Sequence, residues 1–131
     1  MKTISIPKFK RDPKLDTETI TQELIDYITK KIVDNIQPDK VILFGSYARG
    51  DYTNNSDIDL FIIKDGDESG SITRRKIEAL LWGRCFGLDL FVRQTEDVVR
   101  NVKANNTFYT KDIFKDGILL YDKSREIKSD N

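Results

Sequence analysis

The stretch that decides the fold is residues 41–63, which reads VILFGSYARGDYTNNSDIDLFII. Its first four residues are β-branched, aliphatic or aromatic, and its last six are almost all apolar, so both ends predict buried strands. Gly45 and Ser46 follow the first strand directly, and Asp57 and Asp59 open the second. The stretch therefore predicts a strand, a tight turn and a second strand that begins with two carboxylates.

The Gly45-Ser46 pair favours a turn that can approach a ligand. Glycine has no β-carbon, so the backbone can bend sharply there and a bound group can come close. Ser46 is expected to cap a short helix over residues 47–49. Backbone N–H groups at such a helix start favour an anion. An ordinary strand-to-helix turn explains the same two residues equally well, so this interpretation stays open.

The two acids at the start of the second strand are expected to share one face of the sheet. Side chains alternate along a strand, so Asp57 and Asp59 project to the same side. Two ionised carboxylates this close repel, and one pKa rises unless a cation neutralises them. Mg²⁺ prefers such oxygen ligands, with substrate phosphates completing its shell. The alternative is a solvated strand end, with Asp57 in a turn after residues 54–56.

A third acid, Asp89, lies inside another short apolar run, LDLFV at residues 88–92. Aspartate is unfavourable in the middle of a strand, and such departures from local propensity tend to mark functional positions. If this strand neighbours the earlier one, Asp89 stands beside Asp57 and Asp59. The alternative is an ion pair of Asp89 with Arg84 or Arg93.

Taken together, these motifs resemble the nucleotidyltransferase superfamily with the DNA polymerase β-like fold, in its minimal form (MNT). The matching segments are FGSYARGD at 44–51, SDIDL at 56–60 and LDLF at 88–91. The resemblance extends from about residue 33 to about residue 121. It implies an α/β fold, a small mixed sheet with helices packed on it, and a metal-dependent enzyme. Such an enzyme moves a nucleoside monophosphate, here expected to be AMP from ATP, onto a hydroxyl group and releases pyrophosphate.

The resemblance also implies roles for individual residues. Three acids are expected to be both catalytic residues and ligands of two Mg²⁺ ions: Asp57, Asp59 and Asp89. Asp89 is also expected to help deprotonate the acceptor hydroxyl. Gly45 and Ser46 would bind the β- and γ-phosphates of the nucleotide.

Two further residues are candidates for nucleotide binding, each with an alternative. Arg49 either offsets phosphate charge as a planar donor or pairs with Asp51 or Asp57. Ser56 either donates a hydrogen bond near the metal or caps its own turn.

Composition excludes several other classes of site. The 131 residues suit one domain, and 22 basic residues balance 22 acidic ones, so no strong field for nucleic acid or a membrane is expected. The chain has no histidine, which excludes Ser-His and Cys-His catalysis and histidine metal sites. Cys85, the single cysteine, is expected to be a small core residue. With no signal-peptide segment and no apolar run long enough to span a bilayer, a cytoplasmic protein is expected.

The rest of the sequence is expected to surround this site in three parts: a flexible arm over residues 1–16 with a short strand at 4–6, the nucleotidyltransferase domain over 17–122, and a polar tail over 123–131. Helices are predicted from Asp16 or Thr17 to about Ile36, then over 71–82, 95–103 and 108–114. A last strand is predicted over 118–121. The cluster Arg74-Arg75-Lys76 is interpreted first as a solvated face and second as a phosphate or partner contact.

The acceptor is expected to be a small molecule or a separate protein, since no additional domain that binds an acceptor fits in this length. The family resemblance implies a separate small helical HEPN protein as partner, with this chain acting as an antitoxin that adenylylates a tyrosine of that toxin. The alternatives are a non-catalytic partner-binding module, an antibiotic nucleotidyltransferase, and an acyl- or sugar-processing enzyme that uses paired carboxylates as acid and base without a metal. Homo- and hetero-oligomers both stay open, with Phe108 and Tyr109 as candidate interface residues, and no motif indicates the base of the nucleotide.

Overall fold

A four-stranded mixed sheet forms the centre of the protein, in a computed structural model that describes residues 11–126. The strands are β1 (Lys40–Phe44), β2 (Ile58–Ile63), β3 (Leu88–Arg93) and β4 (Ile118–Asp122). Their order across the sheet is β3-β2-β1-β4. β1 is antiparallel to β2 and β4, whereas β2 and β3 are parallel. The predicted α/β fold with a small mixed sheet is confirmed.

Helices connect the strands and cover both faces of the sheet. They are α1 (Gln22–Ile36), α2 (Ser46–Arg49), α3 (Gly70–Leu80), α4 (Thr95–Lys103) and α5 (Lys123–Glu126). A 3₁₀ turn over Pro13–Leu15 precedes α1, and a π-helical segment over Phe108–Ile113 precedes β4. No helix among residues 11–126 is long and apolar enough to span a membrane.

The two central strands, β1 and β2, are buried on both faces, as their nearly continuous apolar sequences require. One face packs against α1 and α3 through Val41, Leu43, Ile58, Leu60, Ile62, Leu90 and Val92. The opposite face packs against α4 and the π-helical segment through Ile42, Phe44, Phe61 and Ile63. The alternation along each strand is the one that the sequence predicts. The acids at the strand starts therefore stand at one rim of a rigid, two-sided core.

The N-terminal region differs from its prediction. The first long helix begins at Gln22, because the side chain of Thr21 caps it by accepting a hydrogen bond from the Leu24 N–H at 3.1 Å. Leu15 is fully buried in the core, and Asp12 binds Lys31 at 2.6 Å. The prediction of a flexible arm through residue 16 is therefore wrong for residues 11–16, the part of that arm that the structure describes. The strand predicted at 4–6 and residues 127–131 of the tail lie outside the described residues.

One residue predicted to lie in the core is exposed: Cys85, whose thiol donates to Asp16 Oδ1 at 3.1 Å. Three apolar residues of α3 and α4 are also exposed: Ile72, Val99 and Val102. Conversely, Tyr109 is buried, so it is not available as the exposed interface residue that the sequence suggested. The buried faces of α3 and α4 are therefore narrower than the distribution of apolar residues along these helices suggests.

Candidate active site

Two of the predicted acids stand side by side at one end of the sheet. In the parallel register of β2 and β3, Asp59 lies opposite Asp89. In the antiparallel register of β1 and β2, Asp59 also lies opposite Phe44, the last residue of β1. The rim of the sheet where β1 ends and β2 and β3 begin therefore holds both acids and the turn after β1.

Gly45 is shaped for close contact with Asp59. Its φ of 73° lies in the left-handed region, which L side chains rarely adopt. A β-carbon at this position would overlap Asp59 Oδ2. The Gly45 turn thus lets the backbone after β1 lie directly against the carboxylate, and any larger residue would displace one of them.

Ser46 has a different position from the one predicted. Gly45 is the N-cap of α2 and Ser46 is its first helical residue, so the predicted capping role of Ser46 is wrong. The first N–H groups of α2 have no partner within the helix. Among residues 11–126, no protein hydrogen bond to the Ser46 hydroxyl is found. The turn therefore presents a hydroxyl and backbone N–H groups beside Asp59.

Asp57 precedes β2, and its side chain fills space left by Gly87, a glycine that the sequence analysis did not single out. Its carboxylate lies against Gly87, where a β-carbon would overlap Asp57 Oδ1. Ile58 N–H donates to the Gly87 carbonyl at 3.0 Å, which fixes the two segments together. Because Asp57 lies outside the strand, alternation along β2 does not determine its direction. A glycine directly before an acid-bearing strand was the available sequence clue.

The electrostatics of the site centre on Asp59. Its pKa is raised from 3.8 to about 6, first because burial disfavours the charged form, then because the Asp89 carboxyl lies within hydrogen-bonding reach. The negative charges of Asp89 and Asp57 raise this pKa further, and the positive charge of Arg49 opposes them. The free Asp59 carboxyl therefore binds a proton more readily than an ordinary aspartate does, and a cation beside it would relieve the same repulsion. This donor chemistry fits a divalent ion.

The structure brings Asp59 and Asp89 together more closely than it brings Asp57 to either. Among residues 11–126, no three side chains of His, Cys, Asp and Glu are arranged closely enough to hold one metal ion as they stand. Asp57 is exposed, with its carboxylate toward Gly87. The predicted three-acid rim is therefore an Asp59–Asp89 pair with Asp57 at its edge.

The alternative ion pairs for Asp89 are not formed. Arg84 binds Glu78 at 2.8 Å, and Arg93 donates from Nη1 to the Val92 carbonyl at 2.9 Å. Asp89 itself is exposed. Its carboxylate is therefore accessible to a substrate at the mouth of the site.

Arg49 and Ser56 both have protein partners. Arg49 Nε donates to Asp51 Oδ2 at 3.3 Å, and the charge of Arg49 also lowers the pKa of Asp59, so it faces the site as well. Ser56 accepts a hydrogen bond from the Thr53 N–H at 2.8 Å within the turn before β2. Ser56 therefore caps its own turn, which is the second of the two roles considered for it.

An aromatic pair made of the partly buried Tyr47 and the exposed Tyr52 flanks the acids. Tyr47 stacks on Tyr52 with ring centroids 4.4 Å apart and planes 11° from parallel. The pKa of Tyr47 is raised by burial and by the nearby Tyr52 and Asp57. Tyr52 is 55% exposed. Phe61 is fully buried, whereas the Tyr47–Tyr52 pair presents an aromatic surface near the site.

A glycine turn after one strand thus lies beside acids on two neighbouring parallel strands. The model of the family "Polymerase beta, Nucleotidyltransferase" matches residues 22–126, and this chain belongs to that family. The chain is thus a nucleotidyltransferase.

Three known proteins illustrate the relationship. A Methanocaldococcus jannaschii protein named "Putative protein adenylyltransferase" is 33% identical over 107 residues, which cover 82% of this chain and all of that protein. A solved structure named "putative nucleotidyltransferase", from Sulfolobus solfataricus, has a TM-score of 0.54 at 23% identity, covering 79% of this chain and 81% of its own. A chain of the toxin–antitoxin pair MntA–HpeT has a TM-score of 0.50 at 19% identity, covering 79% of this chain and 77% of its own. The two structures support the fold.

Proposed function

We propose that this protein transfers AMP from ATP to a hydroxyl group of another polypeptide, most specifically a tyrosine of a small helical HEPN toxin, and thereby acts as an antitoxin. The observation that carries the proposal is the Asp59–Asp89 pair beside the Gly45 turn, with the pKa of Asp59 raised to about 6. The relative named as a protein adenylyltransferase supports a protein acceptor. The likeness to a chain of a toxin–antitoxin pair supports the antitoxin setting, which we place in the cytoplasm.

The nucleotide would bind across the turn after β1. Gly45 and Ser46 offer backbone N–H groups and a hydroxyl to the β- and γ-phosphates, beside the acids. Arg49, which already faces Asp59, would exchange part of its contact with Asp51 for a phosphate oxygen. The Tyr47–Tyr52 pair lies on the side of Asp57 and offers an aromatic face to a base.

The acids would hold the metal that belongs to the nucleotide. Asp57, Asp59 and Asp89 are the candidate ligands, and Mg²⁺ is the proposed ion because all three donate only oxygen. When bound, the ions would neutralise the charge of the triphosphate and of the leaving group. The raised pKa of Asp59 fits this role, since a cation would replace the proton that the free pair of acids favours.

Asp89 is the candidate base for the acceptor. It is exposed at the rim, and neither Arg84 nor Arg93 is paired with it. In the proposed step the acceptor oxygen forms a bond to the α-phosphorus of ATP, and the bond from that phosphorus to the bridging oxygen of pyrophosphate breaks. The hydroxyl proton passes to the Asp89 carboxylate, and pyrophosphate leaves with the electron pair of the broken bond. The products are an AMP phosphodiester of the acceptor and pyrophosphate.

The test is transfer of label from [α-³²P]ATP to a purified HEPN-fold protein from the same source, with Mg²⁺ present. We expect labelled toxin, whose mass increases by one AMP on a tyrosine, and loss of labelling when that tyrosine is changed to phenylalanine. Asp59→Asn and Asp89→Asn should each reduce labelling at least a hundredfold, whereas Asp67→Asn, on the exposed loop after β2, should not. Tight binding of the toxin without any labelling would contradict the proposal and favour a partner-binding role. Labelling of an antibiotic instead would contradict the protein acceptor.

A further inference from the structure

One face of β3 carries an aromatic ring next to the candidate base. Leu90 and Val92 are buried against α1 and α3, so Asp89, Phe91 and Arg93 lie on the opposite face. Asp89 is exposed, whereas Phe91 and Arg93 are partly buried. All three line one groove of about 420 Å³. A ligand in this groove therefore meets the Asp89 carboxylate and the Phe91 ring together.

Two other phenylalanines hold the Phe91 ring in place. Its centroid lies 5.6 Å from that of Phe44 and 5.3 Å from that of Phe108, with the planes at 66° and 49°. Phe44 is buried at the end of β1, and Phe108 begins the π-helical segment. The Phe108 N–H donates to Asn106 Oδ1 at 3.1 Å. Packing on both neighbours fixes the orientation that the Phe91 ring presents to the groove.

Arg93 bounds this surface on the side away from Asp89. Its guanidinium carbon lies 5.7 Å from the Phe91 ring centroid, and its Nη1 donates to the Val92 carbonyl at 2.9 Å. Asp97 on α4 also lines the groove, but it is paired with Arg100. The part of the groove next to Asp89 is thus bounded by an aromatic ring.

The spacing of Asp89 and Phe91 suits the length of a phenol. Residues on the same face of a strand stand about 6.6 Å apart along it. Aromatic rings pair favourably when their centroids are about 4.5 to 7 Å apart, either offset or edge to face. A phenol whose oxygen meets the Asp89 carboxylate can therefore pack its ring on Phe91. The side chain of serine is too short to make both contacts.

The chemistry of the base favours the same acceptor. The chain has no histidine, so the candidate base is a carboxylate, and a carboxylate is a weak base. The hydroxyl of tyrosine ordinarily ionises with a pKa of about 10, and aliphatic hydroxyls are far less acidic. A phenol therefore gives up its proton to a carboxylate more readily than serine or threonine does.

We propose that Phe91 binds the aromatic ring of the acceptor, so that the site selects a phenolic hydroxyl over an aliphatic one. The phenol donates a hydrogen bond to Asp89 while its ring packs on Phe91. During transfer the phenol oxygen forms its bond to the α-phosphorus, the proton passes to the Asp89 carboxylate, and pyrophosphate leaves with the electron pair of the broken bond. This inference rests on the proposed function, to which it adds the residue that recognises the acceptor.

A nucleobase is also flat, but a nucleic-acid acceptor fits the groove less well. Phosphate backbones are bound mainly through several basic contacts. Asp89 and Asp97 both line the groove, and the formal net charge of the whole chain is zero. A polypeptide or small molecule that carries a phenol makes no such demand.

The kinetic test compares N-acetyl-tyrosinamide with N-acetyl-serinamide as acceptors, with [α-³²P]ATP and Mg²⁺. We expect the unmodified protein to use the tyrosine compound with the higher kcat/KM. Phe91→Leu keeps an apolar side chain but removes the ring, so the KM for N-acetyl-tyrosinamide should rise about fivefold, an effect of about 1 kcal/mol. The KM for ATP and the kcat/KM for N-acetyl-serinamide should not change.

Two further variants separate ring contact from a general loss of stability. Phe91→Tyr keeps the ring and should retain the KM for N-acetyl-tyrosinamide. Phe114→Leu is the matched control, since Phe114 is exposed and does not line the groove. Equal KM values in Phe91→Leu and Phe114→Leu would overturn the proposal. Labelling of an oligoadenylate RNA in preference to N-acetyl-tyrosinamide would overturn it as well.

A binding test needs no turnover. In ¹⁵N spectra of the protein without ATP, p-cresol, which has the ring and hydroxyl of tyrosine, should shift the backbone amides of Asp89 and Phe91. The amide of Leu119, on β4 at the other edge of the sheet, should not shift. Phe91→Leu should weaken the binding of p-cresol about fivefold, and Phe114→Leu should not. Absence of a shift at Phe91, or a shift confined to Leu119, would contradict the proposal.

The two proposals fail in different ways. If the unmodified protein labels the HEPN toxin while Phe91→Leu and Phe114→Leu label it alike, the role of Phe91 is wrong and protein adenylylation stands. If no acceptor is labelled, or if Asp59→Asn labels as well as the unmodified protein, the proposed function is wrong. In that case the p-cresol shifts decide by themselves whether Phe91 binds a phenol.

Discussion

Replacing Asp59 by asparagine should stabilise the free protein while abolishing transfer. Burial and the nearby acids Asp89 and Asp57 raise the pKa of Asp59 from 3.8 to about 6. The ionised carboxylate is therefore destabilising in the folded state above that pH. Asparagine has nearly the same shape, carries no charge and can donate a hydrogen bond to Asp89.

The magnitude follows from the two pKa values. One pKa unit corresponds to about 1.4 kcal/mol, so a rise from 3.8 to about 6 gives about 3 kcal/mol as an upper limit. Asp59 is only half-buried, and solvent screening reduces this to about 1 to 2 kcal/mol. The stabilisation by the protonated form is complete below pH 3.8 and is lost as pH rises through about 6. The advantage of the variant should therefore be small at pH 4 and complete by pH 8.

The assay is urea unfolding in EDTA at pH 4, 5, 6, 7 and 8, for the unmodified protein, Asp59→Asn and the control Asp67→Asn. Differences between proteins at each pH remove the contributions of the other acids. At pH 8 the free energy of unfolding from the urea titration should be about 1 to 2 kcal/mol higher for Asp59→Asn. Thermal unfolding in the same buffer should then give a Tm about 3 to 8 °C higher in a domain of this size. An equal difference at every pH, or a variant that is less stable at pH 8, would refute the electrostatic reasoning.

Three further predictions concern the frame around the site. Gly87→Ala should lower the free energy of unfolding by at most about 1 kcal/mol, because the new methyl group displaces the exposed Asp57 carboxylate, and urea titrations should show no loss when Asp57→Gly is also present. Asp65→Ala should cost about 1 kcal/mol at pH 7, since Asp65 accepts hydrogen bonds from Thr95 N–H and Oγ1 at the start of α4, each at 2.7 Å. Those bonds lower the pKa of Asp65, so the cost should diminish as pH falls below 3.8, and a pH-independent cost would count against them. Thr21→Ala should cost about 1 kcal/mol by loss of the α1 cap and leave kcat unchanged; a large fall in kcat would mean that α1 influences the site.

The pairing of Asp59 with Asp89 could be predicted because local pattern and motif agreed. Alternating burial along β2 and β3 put both acids on the same face, and the family pattern implied neighbouring strands. The parallel register that places them opposite each other is a non-local property, and only the resemblance indicated that Asp89 joins the other acids. The turn at Gly45 was predictable for the same reason, since only a glycine tolerates its backbone and its contact with Asp59.

Other features could not be predicted because several nearby residues suit the same local role. Asp16, Thr17 and Thr21 can all cap a helix, and packing of Leu15 into the core decides that α1 starts after Thr21. The orientation of Asp57 depends on space left by Gly87, which lies 30 residues further along the chain. The exposure of Ile72 depends on which face of α3 meets the sheet, and its apolar character alone does not determine that.

The most direct measurement is the fate of the two ends of ATP during transfer. Parallel reactions with [α-³²P]ATP and [γ-³²P]ATP, each with Mg²⁺ and the acceptor protein, are run for the unmodified chain and for Asp89→Asn. The α-label should become covalently attached to the acceptor, the γ-label should leave in pyrophosphate, and Asp89→Asn should lose the attachment while remaining folded. Attachment of the γ-label, or undiminished attachment of the α-label by Asp89→Asn, would contradict nucleotidyl transfer by this pair of acids.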